Sequence, residues 1–280
     1  MRPWVIVNGR VAEGDRPVIP LDNRAFHYGD GVFESIRVVR GKPCFLEPHW
    51  IRCQEGLKVL RIDRPDGLDL HTLSQHIELL VQRTGIISGR CRLTVYREGH
   101  GHYRPESSTG GYTIELLPLS TEKFTLNEQG LTVDIWPEMR KPVNVLSIHK
   151  TLNCHYYIMA GLWSQERGLD DCLLQNDRGN IIESSSGNLF IVSNGVLYTP
   201  SLADGCIGGV MRMQIINLAL ANGMKVYECS LNPQNLLAAD ELFFTNAVRG
   251  VQWASAYRTK RYAHRAAQHL VDLLNAIVLS

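Results

Sequence analysis

Residues 181–192 read Ile181-Ile182-Glu183-Ser184-Ser185-Ser186-Gly187-Asn188-Leu189-Phe190-Ile191-Val192: an apolar run ending on a carboxylate, a turn of small polar residues, and a second apolar run. Both runs are too short for helices, and only turn formers separate them, so the segment predicts strand, turn, strand with no helix between. Working outward, further strands are expected at 172–175, 131–136, 242–245 and around Val226. Helices are expected over 153–167, from Gly208-Gly209 to about Asn222, and over 263–277, the last amphipathic. Toward the N-terminus, strands at 4–7 and 33–39 precede the turns Asn8-Gly9 and Gly41-Lys42-Pro43. The spacing of Trp50, Ile51, Leu57 and Leu60 predicts a helix over 47–60, and that of Leu70, Leu73, Ile77, Leu80 and Val81 a second, before strands at 91–96 and 112–117. Strands in runs with irregularly placed helices indicate an α+β fold rather than a doubly wound sheet. Periodicity lapses at 118–123, which suggests a small N-terminal domain over 1–118, a linker over 119–124 and a larger C-terminal domain over 125–280.

Composition narrows the functional classes. Hydrophobic residues at 44% and charged residues at 20% are the balance of a globular chain with a real core. Lys+Arg 29 against Asp+Glu 28 leaves a net charge of +1, so no global field favours nucleic acid or an anionic membrane, and any anion must be held locally. No apolar run approaches the roughly 18 residues of a membrane helix, and the opening turns polar too soon for a signal peptide, so a cytoplasmic location is expected. The seven cysteines are scattered without a C-x-x-C pair and read as reduced packing thiols. Two loop histidines in Gly99-His100-Gly101-His102 lack a third ligand, so no metal site is expected. Phosphate-loop, dinucleotide and nucleophile-elbow motifs are absent.

Four features carry possible chemistry, each with a plainer alternative. Gly205-Cys206-Ile207-Gly208-Gly209-Val210-Met211-Arg212 sets glycines before a helix N-terminus, either an anion cradle or simply a Gly-rich turn. Leu242-Phe243-Phe244-Thr245-Asn246-Ala247 runs a buried strand into a small polar turn, suited to a phosphate or merely a strand end. There are seven lysines against 22 arginines, and Lys150 has largely uncharged neighbours. A partly desolvated lysine is a nucleophilic amine fit for a Schiff base, although a snorkelling surface lysine has the same sequence. Glu183 ends an apolar strand, as a placed carboxylate or a solvated one.

In chain order the motifs are Asp22-Asn23-Arg24-Ala25-Phe26-His27-Tyr28-Gly29-Asp30-Gly31-Val32-Phe33-Glu34, His49-Trp50-Ile51-Arg52, Lys150-Thr151-Leu152-Asn153, Glu183 in E-S-S-S-G-N-L-F, Gly209-Val210-Met211-Arg212, and Ala239-Asp240-Glu241 before Thr245-Asn246-Ala247. Together they resemble the class IV pyridoxal-phosphate enzymes of fold type IV: branched-chain aminotransferases, D-amino-acid transaminases and aminodeoxychorismate lyases. The resemblance implies a small α/β N-terminal domain, a larger pseudo-barrel C-terminal domain, pyridoxal 5'-phosphate as cofactor and a homodimer. By it, Lys150 would form the Schiff base and shuttle the proton, and Glu183 would sit against the pyridine nitrogen. Arg52 would grip the phosphate, helped by the N–H groups of Val210 and Met211 and by the Thr245-Asn246 turn. Ala247 stands where aminotransferases of the family often carry threonine.

Subgroup signals diverge. Glu34 after Phe33 resembles the transaminases, Lys150-Thr151-Leu152-Asn153 resembles both D-amino-acid transaminases and lyases, and Val210-Met211-Arg212 with Asn246-Ala247 looks lyase-like. His155 stands five residues after Lys150, where branched-chain enzymes have a tyrosine. Phe33, Arg92, Arg97 and Arg104 are candidates to meet substrate, with Arg104 expected to be buried where the loop 99–108 closes a neighbouring subunit's pocket; three arginines would suit an acidic substrate. The resemblance implies an aminotransferase acting between a branched-chain or D-type amino acid and a 2-oxo acid. The alternative is a lyase that releases pyruvate and 4-aminobenzoate from 4-amino-4-deoxychorismate. A non-catalytic relative is disfavoured by the joint presence of Lys150, Glu183 and Arg52.

Overall fold

The computed structural model describes residues 4–16 and 18–279, and its contacts divide them into two units. The first runs to Glu122 and takes in His149–Asn153; the second holds Lys123–Ile148 and the chain from Cys154 on. In the first unit Asn8 and Gly9 both take positive φ, 45° and 78°. That is the turn whose twist suits a tight hairpin, and it joins β1 (Trp4–Val7) to β2 (Arg10–Glu13). A short α1 (Arg24–Tyr28) is capped by the Asn23 side chain and stopped by Gly29 in the left-handed region. Then come β3 (Gly31–Val39), β4 (Lys42–Pro43), α2 (Leu46–Leu60), α3 (Leu70–Thr84), β5 (Gly89–Arg97) and β6 (Gly110–Pro118). The six strands form an antiparallel sheet in the order β2-β1-β6-β5-β3-β4.

One apolar cluster joins the helices to this sheet: Trp50, Cys53 and Leu57 of α2 and Leu73, Ile77 and Leu80 of α3 meet Val32, Ile36 and Val38 of β3 and Leu93 of β5. Each such side chain contributes about 1.5–3 kcal/mol of burial. Because side chains alternate along a strand, Phe33 and Ser35 lie on the opposite face from Val32 and Ile36. The first residues of β3 have no partner in β4, and the segment 150–152 takes that edge: Phe33 N donates to Lys150 O at 3.0 Å and Leu152 N to Gly31 O at 2.9 Å. Gly31 is needed there, since a Cβ would lie 2.9 Å from Leu152 Cδ1 and 3.0 Å from Tyr96 Cα. The stretch carrying Lys150 thus belongs to the first unit although it lies in the second half of the sequence.

The second unit contains β7 (Leu131–Ile135), α4 (His155–Glu166), β8 (Asp171–Gln175), β9 (Ile181–Ser184), β10 (Asn188–Ser193), β11 (Val196–Thr199), α5 (Val210–Ala221), β12 (Val226–Glu228), α6 (Pro233–Ala238), β13 (Glu241–Asn246), β14 (Gly250–Tyr257), β15 (Lys260–Arg261) and α7 (Arg265–Val278). Strand order is β12-β11-β10-β13-β14-β7-β8-β9, and β9 also pairs with β10 through Glu183 and Asn188. The path therefore closes on itself as a six-stranded ring, the pseudo-barrel expected from the sequence. Irregularities at Ala254/Ala256 and Leu174/Gln175 bend the strands that close it. Alternation separates two clusters. Leu173 and Ile181 join a core fed by all six ring strands, while Cys172, Leu174 and Ile182 pack under α4 with Trp136 and Trp163. Among the described residues no helix is long and apolar enough to cross a membrane.

Candidate functional site

In the first unit, the β3 edge fixes the backbone of Lys150, and its Nζ lies 4.2 Å from the centre of the Phe33 ring. Arg92, on β5 beside β3, places its Cζ 4.0 Å from the same ring and its Nε 3.3 Å from Thr94 Oγ1. Phe33, Arg92 and Lys150, named separately from the sequence, are thus brought to one ring whose π-face favours cations.

On the helix-covered face, Glu34 is the one buried acid of β3. Arg52 grips it with two hydrogen bonds, Nε to Oε1 at 2.8 Å and Nη2 to Oε2 at 2.5 Å, while His49, one turn earlier on α2, places Nδ1 2.6 Å from Oε2. Burial alone would raise the Glu34 carboxyl, but the Arg52 guanidinium and the His49 and Arg52 hydrogen bonds overcome it and hold the group at about 2. For His49 burial wins: the imidazole is pushed below its ordinary value despite Glu34, so it is neutral and Nδ1–H donates to the carboxylate. Its buried Nε2 has no hydrogen-bond partner among the described residues. Arg52 thus sits in a polar cluster with a permanent anion behind it.

One candidate arginine is corrected. The Arg97 guanidinium is buried and taken up internally: Nε donates to Asp30 at 2.9 Å, Nη2 to Leu60 O at 2.6 Å, and Nη1 to Arg61 O at 2.8 Å. It fastens the end of α2 to Asp30, just beyond α1, and its guanidinium is taken up by these internal acceptors. Alternation along β5 concealed this, because it breaks at Tyr96 and Arg97, which are both buried. Arg104 is exposed on the single chain, so its own subunit does not bury it; Arg24 reaches that loop, donating to Gly101 O at 2.7 Å and His102 O at 2.9 Å.

In the second unit, Glu183 lies buried on β9. Its Oε1 accepts from Lys141 Nζ at 2.7 Å and Tyr157 OH at 2.9 Å, and its Oε2 from Ile207 N at 2.9 Å. Lys141 Nζ donates further to Ser147 O at 2.9 Å and Tyr157 OH at 2.8 Å. Burial, reinforced by Glu183, pushes the Tyr157 phenol well above its ordinary value, so it remains a donor. Sequence reasoning passed over Lys141 and Tyr157. The scarcity of lysines was the available signal for the first; the second lies two residues beyond the position inspected.

Beside them α5 begins after Gly209, which has no side chain to cap the N–H groups of the first turn, Val210 and Met211 among them. Asn188 pairs with Thr245 across β10 and β13, and its Nδ2 donates to Ile207 O at 2.7 Å. The Thr245 hydroxyl is buried without a hydrogen-bond partner among the described residues. Asn246 Oδ1 accepts from Val248 N at 3.1 Å and Arg249 N at 2.8 Å, and its Nδ2 reaches Ser186 O at 3.2 Å. Asp171 collects the hydroxyls of Ser185 and Ser186 at 2.5 and 2.8 Å. Three loops, 184–188, 207–210 and 245–249, are thereby tied around uncapped donors and one orphaned hydroxyl. Such a cup suits a phosphate-sized anion.

The description of one protein family, amino-transferase class IV, matches residues 31–257. A putative branched-chain-amino-acid aminotransferase of Methanocaldococcus jannaschii is 30% identical over 245 residues, 86% of this chain and 83% of that protein. An aminodeoxychorismate lyase of Bacillus subtilis is 29% identical over 258 residues, 87% of this chain and 83% of that protein. Among solved structures, a branched-chain aminotransferase from Thermoproteus uzoniensis, crystallised with norvaline, superposes with a TM-score of 0.92 at 24% identity, covering 100% of this chain and 95% of that one.

Proposed function

The chain belongs to the class IV amino-transferases, and on that premise we propose that it transfers an amino group between an amino acid and a 2-oxo acid. The fold is type IV and the family's cofactor is pyridoxal 5'-phosphate. The residues present fit that group, since the α5 N-terminus has no side-chain cap and the buried Thr245 hydroxyl has no partner among the described residues. In this reading Val210, Met211, Thr245 and Asn246 would hold the phosphate, Arg52 would be a further phosphate ligand as the family resemblance implies, and Glu183 would face the ring nitrogen. When bound, the cofactor supplies an electron sink for the electrons left on the substrate Cα.

The chain's own part is positioning and proton transfer. Lys150 would supply the amine that holds the cofactor, and its freed amine would accept the proton released from the substrate Cα and donate it back in the second half of the shift. Phe33 limits where that amine can swing, and Arg92 receives a carboxylate. The observation that carries this reading is the shared ring: Arg92 Cζ and Lys150 Nζ lie 4.0 and 4.2 Å from its centre, so the two are no farther apart than those distances combined. That upper bound admits a short amino dicarboxylate whose amino end is at Lys150 and whose distal carboxylate is at Arg92. Glutamate and 2-oxoglutarate are therefore the proposed acidic pair, the other partner being a branched-chain or D-type amino acid.

The test is a titration of cofactor-loaded protein with L- and D-amino acids, followed by 2-oxoglutarate. An absorption change with one donor, reversed by 2-oxoglutarate, supports transamination and names the donor. Pyruvate release from 4-amino-4-deoxychorismate without that change would replace it with the lyase, which the Bacillus subtilis relative and Asn246-Ala247 favour. We also propose a homodimer, because Ile158, Met159 and Leu162 of α4 are exposed. Light scattering should return twice the chain mass.

A further inference from the structure

We propose that Lys141 is a positioning residue that, through Glu183, loosens the hold on the proton of the cofactor's ring nitrogen. The inference rests on the reading that Glu183 faces that nitrogen. Lys141 is buried, with a relative exposure of 8%. Its Nζ meets three acceptors, Glu183 Oε1, Tyr157 OH and Ser147 O. An ammonium has three N–H groups, so only the charged form satisfies all three at once. Tyr157 passes its own hydrogen to the same carboxylate oxygen. Glu183 therefore holds three donors, one of them the Lys141 cation, before the cofactor arrives, and one lone pair on Oε2 remains for the ring.

A carboxylate facing a pyridine nitrogen favours the protonated ring by attraction between opposite charges. Here part of that attraction is opposed by a second cation on the same carboxylate, in a site where burial leaves little solvent to screen it. The hydrogen bonds from Tyr157 and Ile207 draw charge from Glu183 in the same direction. The other ionisable groups facing the cluster are the Cys206 thiol, which burial and then Glu183 push up to about 12, and the Cys154 thiol beside Tyr157. Arg212 and Asp204 also act on Cys206; Arg212 is occupied by Pro200 O and Glu228, and Asp204 by Arg178, Asn180 and Ser230. Lys141 is accordingly the cation in direct contact with Glu183.

The test loads the full chain with pyridoxal phosphate labelled with nitrogen-15 in the ring and follows its nitrogen resonance with pH, which reads protonation directly. Lys141→Gln keeps donor capacity without charge. It should raise the protonation midpoint by at least one pH unit, a tenfold change, while Lys141→Arg stays near the parent. Glu183→Gln should lower the midpoint. If Glu183→Gln lowers it and Lys141→Gln leaves it in place, the role of Lys141 is overturned while the Glu183 reading stands. If Glu183→Gln has no effect, both fall. A parent nitrogen protonated at every pH at which the protein is folded also overturns the role of Lys141. Should Lys141→Gln fail to fold, Tyr157→Phe takes its place: a smaller upward shift supports the proposal, and none refutes it.

Discussion

Gly208 and Gly209 are adjacent, yet alanine should destabilise the protein at Gly209 and not at Gly208. Gly209 has φ −69° and ψ 133°, a backbone any residue adopts, so the added methyl alone matters. A Cβ there would overlap Asn188 Oδ1 and lie 3.1 Å from its Cγ. Asn188 cannot turn away without breaking its 2.7 Å bond to Ile207 O, which would keep only the 2.8 Å bond from Gly209 N. A lost hydrogen bond costs about 0.5–1.5 kcal/mol and overpacking about 1–3 kcal/mol, so Gly209→Ala should lose about 2 kcal/mol. At Gly208 the nearest atoms to a Cβ are Ile148 O at 3.7 Å and Leu202 Cδ2 at 3.9 Å, ordinary contacts. There alanine only stiffens the unfolded chain, so Gly208→Ala should be neutral or gain about 0.5 kcal/mol. Urea unfolding followed by circular dichroism reads both changes, and a pyridoxal-phosphate titration should show affinity in Gly209→Ala alone reduced about tenfold or more. Equal midpoints for the two variants, or damage from Gly208→Ala instead, would refute the close approach of the 207–210 loop to Asn188.

Arg97→Lys should destabilise the protein by about 3 kcal/mol while leaving KM for an acidic substrate nearly unchanged, whereas Arg92→Ala should raise that KM roughly 10- to 100-fold with little change in Tm. The reverse pattern would restore Arg97 as a substrate group. Glu34, held at about 2 against 4.5 for an ordinary carboxyl, contributes stability that is complete above about pH 4.5 and is lost as the pH falls through 2. That contribution is on the order of 3 kcal/mol. In a His49→Asn background, which removes the imidazole's own titration, the stability gap between the Glu34 protein and Glu34→Gln should narrow from pH 7 to pH 3; a constant gap contradicts the linkage. Of the seven free thiols, Cys53, Cys91, Cys172 and Cys206 are buried. A thiol reagent should therefore titrate at most Cys44, Cys154 and Cys229 rapidly in the native protein, and a fast fourth would deny that burial.

Elements whose pattern is local were legible. The apolar spacing of α3 and the alternation of most strands depend on neighbours in sequence, and they appear where periodicity put them. β14 was passed over because Gln252 and Ser255 dilute its apolar run, and its strand character comes from pairing with β13 and β7. Lys150 was recognisable from its motif, but its place along β3 was not, since that depends on hydrogen bonds to residues more than a hundred positions earlier. Lys141 follows the exposed Arg140 and reads as half of a solvated basic pair. Its burial follows from a bridge to Asn176 and from Glu183, both remote in sequence. Arg97 misled for the opposite reason, as a strand arginine whose acceptors are backbone carbonyls that sequence does not display.

The return of His149–Asn153 to β3 bears on how this chain can be recombined. The polypeptide passes from one unit to the other after Glu122, after Ile148 and after Asn153. A chimera joined at 122/123 to a relative's C-terminal portion would import that relative's counterpart of 149–153, which must then pair with the native Gly31–Phe33 edge. Leu152 against Gly31 is the mating contact, and compatibility at that one point should decide which parental crosses give folded progeny.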